Sequence, residues 1–543
     1  GAYIMATKKK MLQAAAGQAG GAGLDITDVF STYLYEGNGS TQTITNGIDL
    51  DGEGGLVWSK SRSGSYSHGL YDTERGASKE IKTDATSAES TDNGVTAFNS
   101  NGYTVGSRFT TNNNGSTYAS WTFRKAPKFF DVVKYQGNNE SAQYVNHNLG
   151  VTPGCIILKS LDDAGKWYVW HRGLSSASHS LRLNTTAAES VDTNYEIGIN
   201  ASDTQFYVDT GSEINYSTGN YIAYLFAHND GDGEFGPDGD QDIIKCGSYT
   251  TDGSGNATID LGFEPQFVIN KTSSSADNWT IADSMRGFNA IGDQRLYANL
   301  TNAEATATTY RTTSTGFTVN GGETSKDFIY MAIRRGPLAQ PESGTEVFNS
   351  ANGNSSTPPS LAGFSVDLAI ANASTHYVAD RMRGGSVLAT NSTGAEFVWG
   401  GGFPKFDNMT GFSLSADMTG YFSWMWKRAP GFCDVVAYTG DGVAGRTVSH
   451  NLGVAPEMMW VKMRSGGTAG WGVYHKDIGA TNYLNLNNTN ASAASVWYWN
   501  NTTPTESVFT LGGGTLVNLS SSYNYIAYLF ATLPGVSKVG SYT

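Results

Sequence analysis

Apolar and polar residues alternate along many short segments of this chain. In YIAYLFA, at 221–227, odd and even positions fall on opposite faces of an extended segment, and both faces are apolar. A period of two with aromatic and β-branched residues predicts a β strand. Because both faces are apolar, we expect this strand to be central in its sheet and covered by a second sheet or by a neighbouring unit.

The same pattern recurs along the chain at long range. YIAYLFA occurs again at 525–531, and VNHNLGVTPG, at 145–154, returns 303 positions later as VSHNLGVAPE, at 448–457. A weaker period of about 100 residues lies inside this duplicated block, and each period holds several short strands separated by turns rich in Gly, Asn and Asp. The chain is therefore predicted to be an array of similar domains.

We predict an all-β fold: a tandem array of about five β-sandwich domains, jelly-roll or lectin-like, after a short N-terminal anchor segment. The predicted divisions are the anchor (1–30), unit A (31–127), unit B (128–228), an acidic Gly-rich linker (229–241), unit C (242–337), unit A′ (338–430), unit B′ (431–533) and the start of a further unit or linker (534–543).

The last six residues repeat the opening of unit C. KVGSYT, at 538–543, matches KCGSYT, at 245–250, in five of six positions. We expect either that the sequence stops just inside a further unit or that its tail completes the sheet of a neighbouring subunit.

Composition narrows the classes of function. The net charge is −14, without a basic stripe that could release counterions, so nucleic acid is not an expected partner. We find no apolar run long enough for a membrane span and no signal-peptide core, and therefore expect no membrane insertion. The three cysteines, Cys155, Cys246 and Cys433, have no metal-ligand spacing, and we expect free, buried thiols.

Motifs that carry catalytic chemistry are not recognisable in the sequence, and we predict no enzyme activity, no catalytic residues and no certain cofactor. Asp-x-x-Arg-Gly recurs in three units, and its two charges are expected to pair with each other or with turn amides, or else to bind a ligand. His147 and His450 of the repeated decapeptide are expected to be turn residues. Trp58, Trp167, Trp279 and Trp471 are expected in cores, with a sugar-stacking platform as the alternative.

One acidic stretch, HNDGDGEFGPDGDQD at 228–242, differs from the rest of the chain. Its carboxylates alternate along the sequence and are hard oxygen ligands of the kind that Ca²⁺ accepts. A flexible acidic linker and a calcium clamp between units B and C are both open interpretations. The residues predicted for calcium are Asp230, Asp232, Glu234, Asp238, Asp240 and Asp242.

Several segments carry a resemblance to a known class of protein. KKKMLQAAAGQAGG, DVFSTYLYEGNGS, GLVWSKSR, YDTERG, SWTFRKAPKFFDVV and the HNLGVxP turn together resemble virion proteins of marine and cyanobacterial tailed phages. These are described as tail-fibre or tail-associated proteins built of tandem β domains, and the similarity runs from about residue 8 to the C-terminus. The resemblance implies a structural role in the virion and host attachment, and it implies no catalytic residues.

The leading hypothesis is thus a non-enzymatic bacteriophage tail fibre or tail-associated protein. It would be assembled in the host cytoplasm, located in the virion, and associated with other virion proteins and with a host surface glycan or receptor. Because phage fibres are commonly homotrimers, the resemblance favours a homotrimer. The alternatives are a bacterial surface adhesin or carbohydrate-binding protein and, third, a polysaccharide depolymerase.

Overall fold

The protein is built from β strands along its whole described length. A computed structural model describes residues 23–191, 196–198, 200–372, 374–400 and 404–542. The strands form separate antiparallel sheets, and each of the five sequence units contains one large sheet and at least one small one. The predicted all-β tandem fold is confirmed.

The strands of the first block are numbered in chain order. Unit A holds β1 (Phe30–Glu36), β2 (Gln42–Thr45), β3 (Gly55–Ser61), β4 (Gly69–Asp72), β5 (Lys79–Glu80), β6 (Ser90–Thr91), β7 (Val95–Asn99), β8 (Gly102–Val105) and β9 (Thr117–Arg124). Unit B holds β10 (Phe130–Gln136), β11 (Gln143–Asn146), β12 (Cys155–Ser160), β13 (Tyr168–His171), β14 (His179–Arg182), β15 (Ser190–Val191), β16 (Gln205–Val208) and β17 (Asn220–Phe226). Unit C holds β18 (Ile244–Thr250), β19 (Ala257–Asp260), β20 (Pro265–Thr272), β21 (Thr280–Asp283), β22 (Asp293–Tyr297), β23 (Ala305–Ala307), β24 (Tyr310–Thr312), β25 (Gly316–Val319) and β26 (Asp327–Arg334).

The second block repeats the first two units. Unit A′ holds β27 (Phe348–Asn352), β28 (Ser360–Leu361), β29 (Leu368–Asn372), β30 (His376–Asp380), β31 (Ser386–Ala389), β32 (Phe397–Val398), β33 (Gly411–Phe412) and β34 (Phe422–Trp426). Unit B′ holds β35 (Cys433–Thr439), β36 (Arg446–Ser449), β37 (Met458–Ser465), β38 (Trp471–His475), β39 (Asn482–Asn485), β40 (Ala493–Ala494), β41 (Val508–Leu511) and β42 (Asn524–Phe530).

One strand order recurs in the large sheets. In unit B the order is β10-β17-β12-β13-β14-β15, so the last strand of the unit lies between its first and third strands. Units C, A′ and B′ have the same six-stranded order. In unit A the same path is split into β1-β9-β3-β4 and β5-β6, which are joined by a bridge between Leu70 and Ile81.

A small sheet covers one face of each large sheet and encloses a core. In unit B′, β36 and β41 supply Val448, Phe509 and Leu511 to a cluster that also contains Leu529 of β42. The corresponding small sheets are β2-β8-β7, β11-β16, β19-β25-β24 and β28-β33. Each unit is therefore a sandwich with its own apolar interior.

Helices are few and short. Those that the structure describes are α1 (Ile26–Val29), α2 (Phe109–Asn112), α3 (Ser212–Asn215), α4 (Val496–Trp499) and a 3₁₀ turn (Gly344–Glu346). Helix α1, at the end of the predicted anchor, begins with an Asp25 capping box, in which Asp25 also accepts the backbone N–H groups of Leu338 and Ala339. Lys8–Lys10 and the rest of residues 1–22 lie outside the described residues. None of the helices in the described part of the chain is long and apolar enough to cross a membrane.

The closing strand of each unit is central in its large sheet, and in units A, B, C and B′ it is buried on both faces. In β42, Tyr525, Ala527 and Leu529 point into the core of B′. The alternate residues Ile526 and Tyr528 belong to a second cluster, which also contains residues of A′. One face of each large sheet thus serves its own sandwich and the other serves a neighbouring unit, which explains why YIAYLFA is apolar at every position.

Replacing Leu225 by Asp should destabilise the protein by about 3–5 kcal/mol, because the side chain is fully buried and the new carboxylate would have no partner. Leu529→Asp should cost a similar amount, since it has the same place in β42. Urea unfolding followed by circular dichroism measures both. The control is Gln136→Asp, at an exposed position of the adjacent β10; a similar loss in this control, or none in the other two, would contradict the assignment of faces.

Candidate functional site

Units A, B and C close a ring in which each unit contacts the other two. Three equivalent backbone hydrogen bonds cross the interfaces: Glu89 N–H to Leu161 O (2.9 Å) between A and B, Glu189 N–H to Ser273 O (2.8 Å) between B and C, and Glu304 N–H to Arg62 O (2.8 Å) between C and A. The interface between A′ and B′ repeats the first of them, with Glu396 N–H donating to Arg464 O at 2.8 Å. The candidate functional site of this protein is this set of interfaces.

A ring nitrogen also crosses each interface of the A–B–C ring. It belongs to the residue just before the fourth strand, and it bonds a backbone carbonyl at or just after the end of the fifth strand of the preceding unit. The bonds are Trp167 Nε1–H to Lys82 O, Trp279 Nε1–H to Arg182 O and His68 Nε2 to Tyr297 O, each 2.9 Å long. In the second block, Trp471 Nε1–H donates to Ala389 O at 3.0 Å.

The four tryptophans singled out in the sequence are thus buried, with exposed fractions of 0–4%. Trp58 lies inside unit A, where its Nε1–H donates to His68 Nδ1 at 2.9 Å. The expectation of core packing is confirmed. The polar role of the indoles at the interfaces was not anticipated, and the sugar-stacking alternative has no exposed face on these rings.

The Asp-x-x-Arg-Gly pairs form buried ion pairs at the interfaces. Asp72 accepts Arg75 Nε–H at 2.5 Å and Arg75 N–H at 2.9 Å, and both charged groups are fully buried. A neighbouring unit then adds a third donor, Tyr224 O–H, to the same carboxylate at 2.7 Å. Burial and the Asp72 charge raise the pKa of Tyr224 well above its ordinary value, so the phenol stays a donor.

The other two pairs have the same design. Asp283 holds Arg286 and accepts Trp121 Nε1–H of unit A at 3.0 Å. Asp380 holds Arg383 and accepts Tyr528 O–H of unit B′ at 2.7 Å. The expected pairing of the two charges is confirmed in all three copies. The charged groups are hydrogen-bonded at the interfaces between units, and all three pairs are buried away from any ligand in solvent.

At the interface between B and C, different residues form the buried polar contact. Unit B has His171 where A and C have the aspartate, and unit C has Met331, which cannot donate, where A and B have Trp121 and Tyr224. His171 Nε2 instead bonds Tyr330 O at 3.0 Å, and its Nδ1 accepts Gly173 N–H at 3.0 Å. Both the aspartate and its hydrogen-bond donor are thus replaced at this interface, and the buried His171 still has hydrogen-bond partners.

Both interface histidines are neutral. His171 and His68 each use Nδ1 as an acceptor, so the proton lies on Nε2, which donates across the interface. Burial lowers the pKa of His171 to about 4, and it lowers the pKa of His68 well below its ordinary value. Protonation would add the second proton of the ring at Nδ1, would break the hydrogen bond that Nδ1 accepts within its own unit, and would leave a charge buried at the interface.

A Thr-x-x-Glu motif marks the interface loops and was missed in the sequence. It occurs as Thr86/Glu89, Thr186/Glu189, Thr301/Glu304 and Thr393/Glu396. The Thr carbonyl accepts a backbone hydrogen bond from the next unit, as in Gly165 N–H to Thr86 O and Asp277 N–H to Thr186 O. The Glu N–H donates a backbone hydrogen bond to that same unit. The recurrence of the motif after the fifth strand of four units was the available signal.

A buried charge network joins C to the second block. Arg428 of A′ is bidentate to Glu264 of C, with N–O distances of 2.6 and 2.8 Å, and also pairs with Asp434 of B′ at 2.6 Å. All three residues are at most 3% exposed. Although burial lowers the pKa of Arg428, the Asp434 and Glu264 charges raise it overall, so the guanidinium remains charged. This arginine ties three units together.

Two clefts lie at junctions between units. A cleft of about 610 Å³ between C, A′ and B′ is lined by Glu264, Arg335, His450 and Asn451 among others. A second, of about 460 Å³, lies where A, C and A′ meet and is lined in part by Arg62, Arg286, Arg381, Lys405 and Asp407. Arg62 is paired there with Glu304 and Asp407, at 2.9 and 3.1 Å.

The acidic stretch is an ordered loop between B and C. Its Phe235 is buried and contacts the ring of Phe129, with centroids 6.4 Å apart. Asp242 accepts the N–H groups of Gly231 and Gly233, and Glu234 pairs with Lys128 at 2.7 Å. Asp232 accepts Asp230 N–H, whereas Asp238 and Asp240 are exposed.

The geometry does not bring the six predicted calcium ligands together. Within the ranges that the structure describes, no three His, Cys, Asp or Glu side chains form a group that could hold a metal ion. The carboxylates with the shortest contacts bind the loop's own amides or a lysine. The calcium clamp stays a prediction, to be tested directly.

The repeated decapeptide is a turn, as expected. In both copies the histidine Nδ1 accepts the N–H of the leucine two residues on, at 3.2 Å for His147 and 3.3 Å for His450. The following glycine, Gly150 or Gly453, has φ of about 70°, a left-handed conformation that favours glycine. The three cysteines are free and buried, and burial raises the pKa of the Cys246 thiol to about 12.

A comparison with protein-family models places the chain. One model matches twice, over residues 25–337 and again over 351–543. The chain belongs to the DUF7483 family. That family is described as a domain of unknown function. The first DUF7483 match spans the A–B–C ring, and the second spans A′, B′ and the residues that follow them. A search of curated proteins gave no match.

Acid should destabilise the A–B–C ring. Because the folded-state pKa of His171 is about 4 and that of an unfolded histidine about 6.5, stability is complete above pH 6.5 and falls as pH decreases towards 4. The expected loss is about 2 kcal/mol at pH 5. Urea unfolding at pH 7 and pH 5 measures it. His171→Gln keeps a donor for Tyr330 O without titrating, and should reduce this pH dependence; an unchanged dependence would refute the role of His171.

Removal of calcium tests the clamp. If the six carboxylates hold Ca²⁺, a chelator should lower the thermal midpoint, because a ligand that binds only the native state stabilises it by RT ln(1 + [L]/Kd). Differential scanning calorimetry with and without EDTA measures this, with elemental analysis of the purified protein alongside. The matched variant is Asp238→Asn/Asp240→Asn, which should abolish the difference. An unchanged midpoint in EDTA and no bound calcium would exclude the clamp.

Proposed function

We propose that this protein is a non-enzymatic structural component of a bacteriophage virion, a tail fibre or tail-associated protein that contributes to host attachment. The observation that carries the proposal is that the recurring Asp–Arg pairs and ring nitrogens form hydrogen bonds between units. Such a chain is suited to bearing load and to presenting a fixed surface. The resemblance of its segments to phage tail proteins supplies the biological context.

Rigid coupling between the units supports a mechanical role. Interfaces within a chain are often polar and mobile, but here each interface of the A–B–C ring combines a backbone bond, a ring-nitrogen bond and a buried polar contact. Breaking one such buried charged contact leaves a partner unpaired and costs several kcal/mol. Bending the array therefore meets a steep energetic penalty.

The charge of the chain agrees with release from lysed cells. An acidic protein with few charged residues stays soluble without binding nucleic acid, and its buried thiols suit assembly in a reducing cytoplasm. In the proposed virion the partners are other virion proteins and a host surface glycan or receptor. The proposed state is a homotrimer.

Localisation by electron microscopy tests the proposal. Antibodies against the purified chain, detected with immunogold, should label the tails of particles released by lysis, whereas pre-immune serum should not. Label on the surface of intact bacterial cells would contradict the proposal and favour the adhesin. Release of reducing sugar from host polysaccharide by the purified chain would contradict the non-enzymatic role and favour the depolymerase.

The oligomeric state has its own test. Multi-angle light scattering of the purified protein at micromolar concentration should give a mass of three chains. A stable monomer with no partner protein present would contradict the trimer, while leaving the location in the virion to the microscopy.

A further inference from the structure

The second block, as the structure describes it, holds an A–B pair, A′ and B′, with no third unit packed against it in the place that C has in the first block. A′ and B′ meet through the same contacts as A and B, from the Trp471 indole bond to the Tyr528–Asp380 bond. The surfaces of A and B that receive unit C are buried, whereas several of their counterparts on A′ and B′ are exposed or partly exposed. We call those counterparts the third-unit face.

An aromatic platform forms the A′ part of this face. In unit A, Phe30, Trp121 and Phe123 surround one side chain of unit C, Phe267, with ring centroids 5.6, 5.9 and 6.1 Å away. All three rings are at most 2% exposed. The equivalent residues of A′ are Phe348, Trp424 and Trp426. Phe348 is 36% exposed and the two indoles are partly exposed, so a place for one apolar side chain is open.

The polar residues of A and B that bond unit C also have equivalents on the third-unit face. His68 of A is buried against Tyr297 O of C, but His376, which likewise lies at the start of the fourth strand of its unit, is exposed. Trp424 has the place of Trp121, whose Nε1–H bonds Asp283 of C. On B′, His475 has the place of His171, which bonds Tyr330 O of C. His171 is 2% exposed and the His475 side chain 16%.

We propose that the third-unit face is a binding surface for one kind of partner, a β unit with the chemistry of unit C. Such a unit offers an apolar side chain at the place of Phe267, a carboxylate at the place of Asp283 and a carbonyl at the place of Tyr297. A flat apolar partner could cover the aromatic platform, but it would leave the Trp424 indole N–H and the His376 ring without hydrogen-bond acceptors. The observed combination of groups therefore selects a C-like unit.

The path of the backbone after B′ points to the same face. Leu533 and Ser537 form the bridge that Ala126 and Phe130 form between A and B. Val539 N–H then bonds Thr532 Oγ1 at 3.0 Å, as Cys246 N–H bonds His228 Nδ1 at 3.1 Å where the chain enters unit C. A C-like unit in register with KVGSYT therefore starts where unit C starts relative to B.

An extended chain tests the proposal. A copy of residues 251–337 is added after Thr543, so that KVGSYT replaces KCGSYT and no cysteine is introduced. Ser374→Cys supplies a probe at an exposed position of the face, equivalent to Arg62, against three buried native thiols. In the extended chain its reaction with a maleimide should be about tenfold slower than in the original chain, because the docked unit covers it. Val443→Cys, at an exposed turn of B′, should react at the same rate in both chains.

Paired tryptophan variants provide the second readout. Trp121→Phe removes the indole donor inside the closed ring, and should lower the urea midpoint of the original chain. Trp424→Phe should have no such effect in the original chain, and should lower the midpoint in the extended chain. Equal labelling of the Ser374→Cys variant in both chains would overturn the proposal, as would an added copy that trypsin digests while A′ and B′ stay intact. Self-association of the original chain through Trp424 would also overturn it, because the occupant would then be a second copy.

Discussion

A buried ring N–H that must find an acceptor is the constraint on which this architecture depends. An indole or imidazole removed from water without a partner costs several kcal/mol, and at each interface of the A–B–C ring the acceptor is a backbone carbonyl of the preceding unit. Because that carbonyl lies at or just after the end of a strand, its position is set by the neighbour's sheet. Correct docking of one unit thus requires correct folding of the next.

The paired carboxylates add specificity to this constraint. Asp72 is already held by Arg75, and the remaining acceptor capacity of its carboxylate is taken by a hydroxyl from the neighbour. Where the neighbour offers only Met331, the carboxylate is replaced by His171. A carboxylate opposite a methionine would be buried with one acceptor unpaired, so the exchange at both positions keeps each unit matched to one neighbour.

The sequence predicts the repeats well and their association poorly. YIAYLFA reveals a strand covered on both faces, and the duplicated decapeptide reveals paralogous units, because side-chain periodicity and turn chemistry are local. The partners of Trp167 and Trp279 are backbone carbonyls, which every residue possesses, so no residue type identifies them. The partner of Asp72 lies 152 positions away, at Tyr224. The Thr-x-x-Glu motif can be recognised in the sequence, but its role depends on two backbone hydrogen bonds that are visible only once the units are docked.

The contacts across its three interfaces should make the A–B–C ring one cooperative unit. Native-state hydrogen exchange, measured as a function of urea, tests it most directly, because the amides of Glu89, Glu189 and Glu304 bond only across interfaces. If the ring is cooperative, these three amides exchange with the same opening free energy and urea dependence as the core strands β3, β12 and β20. Exchange of the three amides at much lower free energy, while the sandwich cores stay protected, would instead show that the units unfold independently.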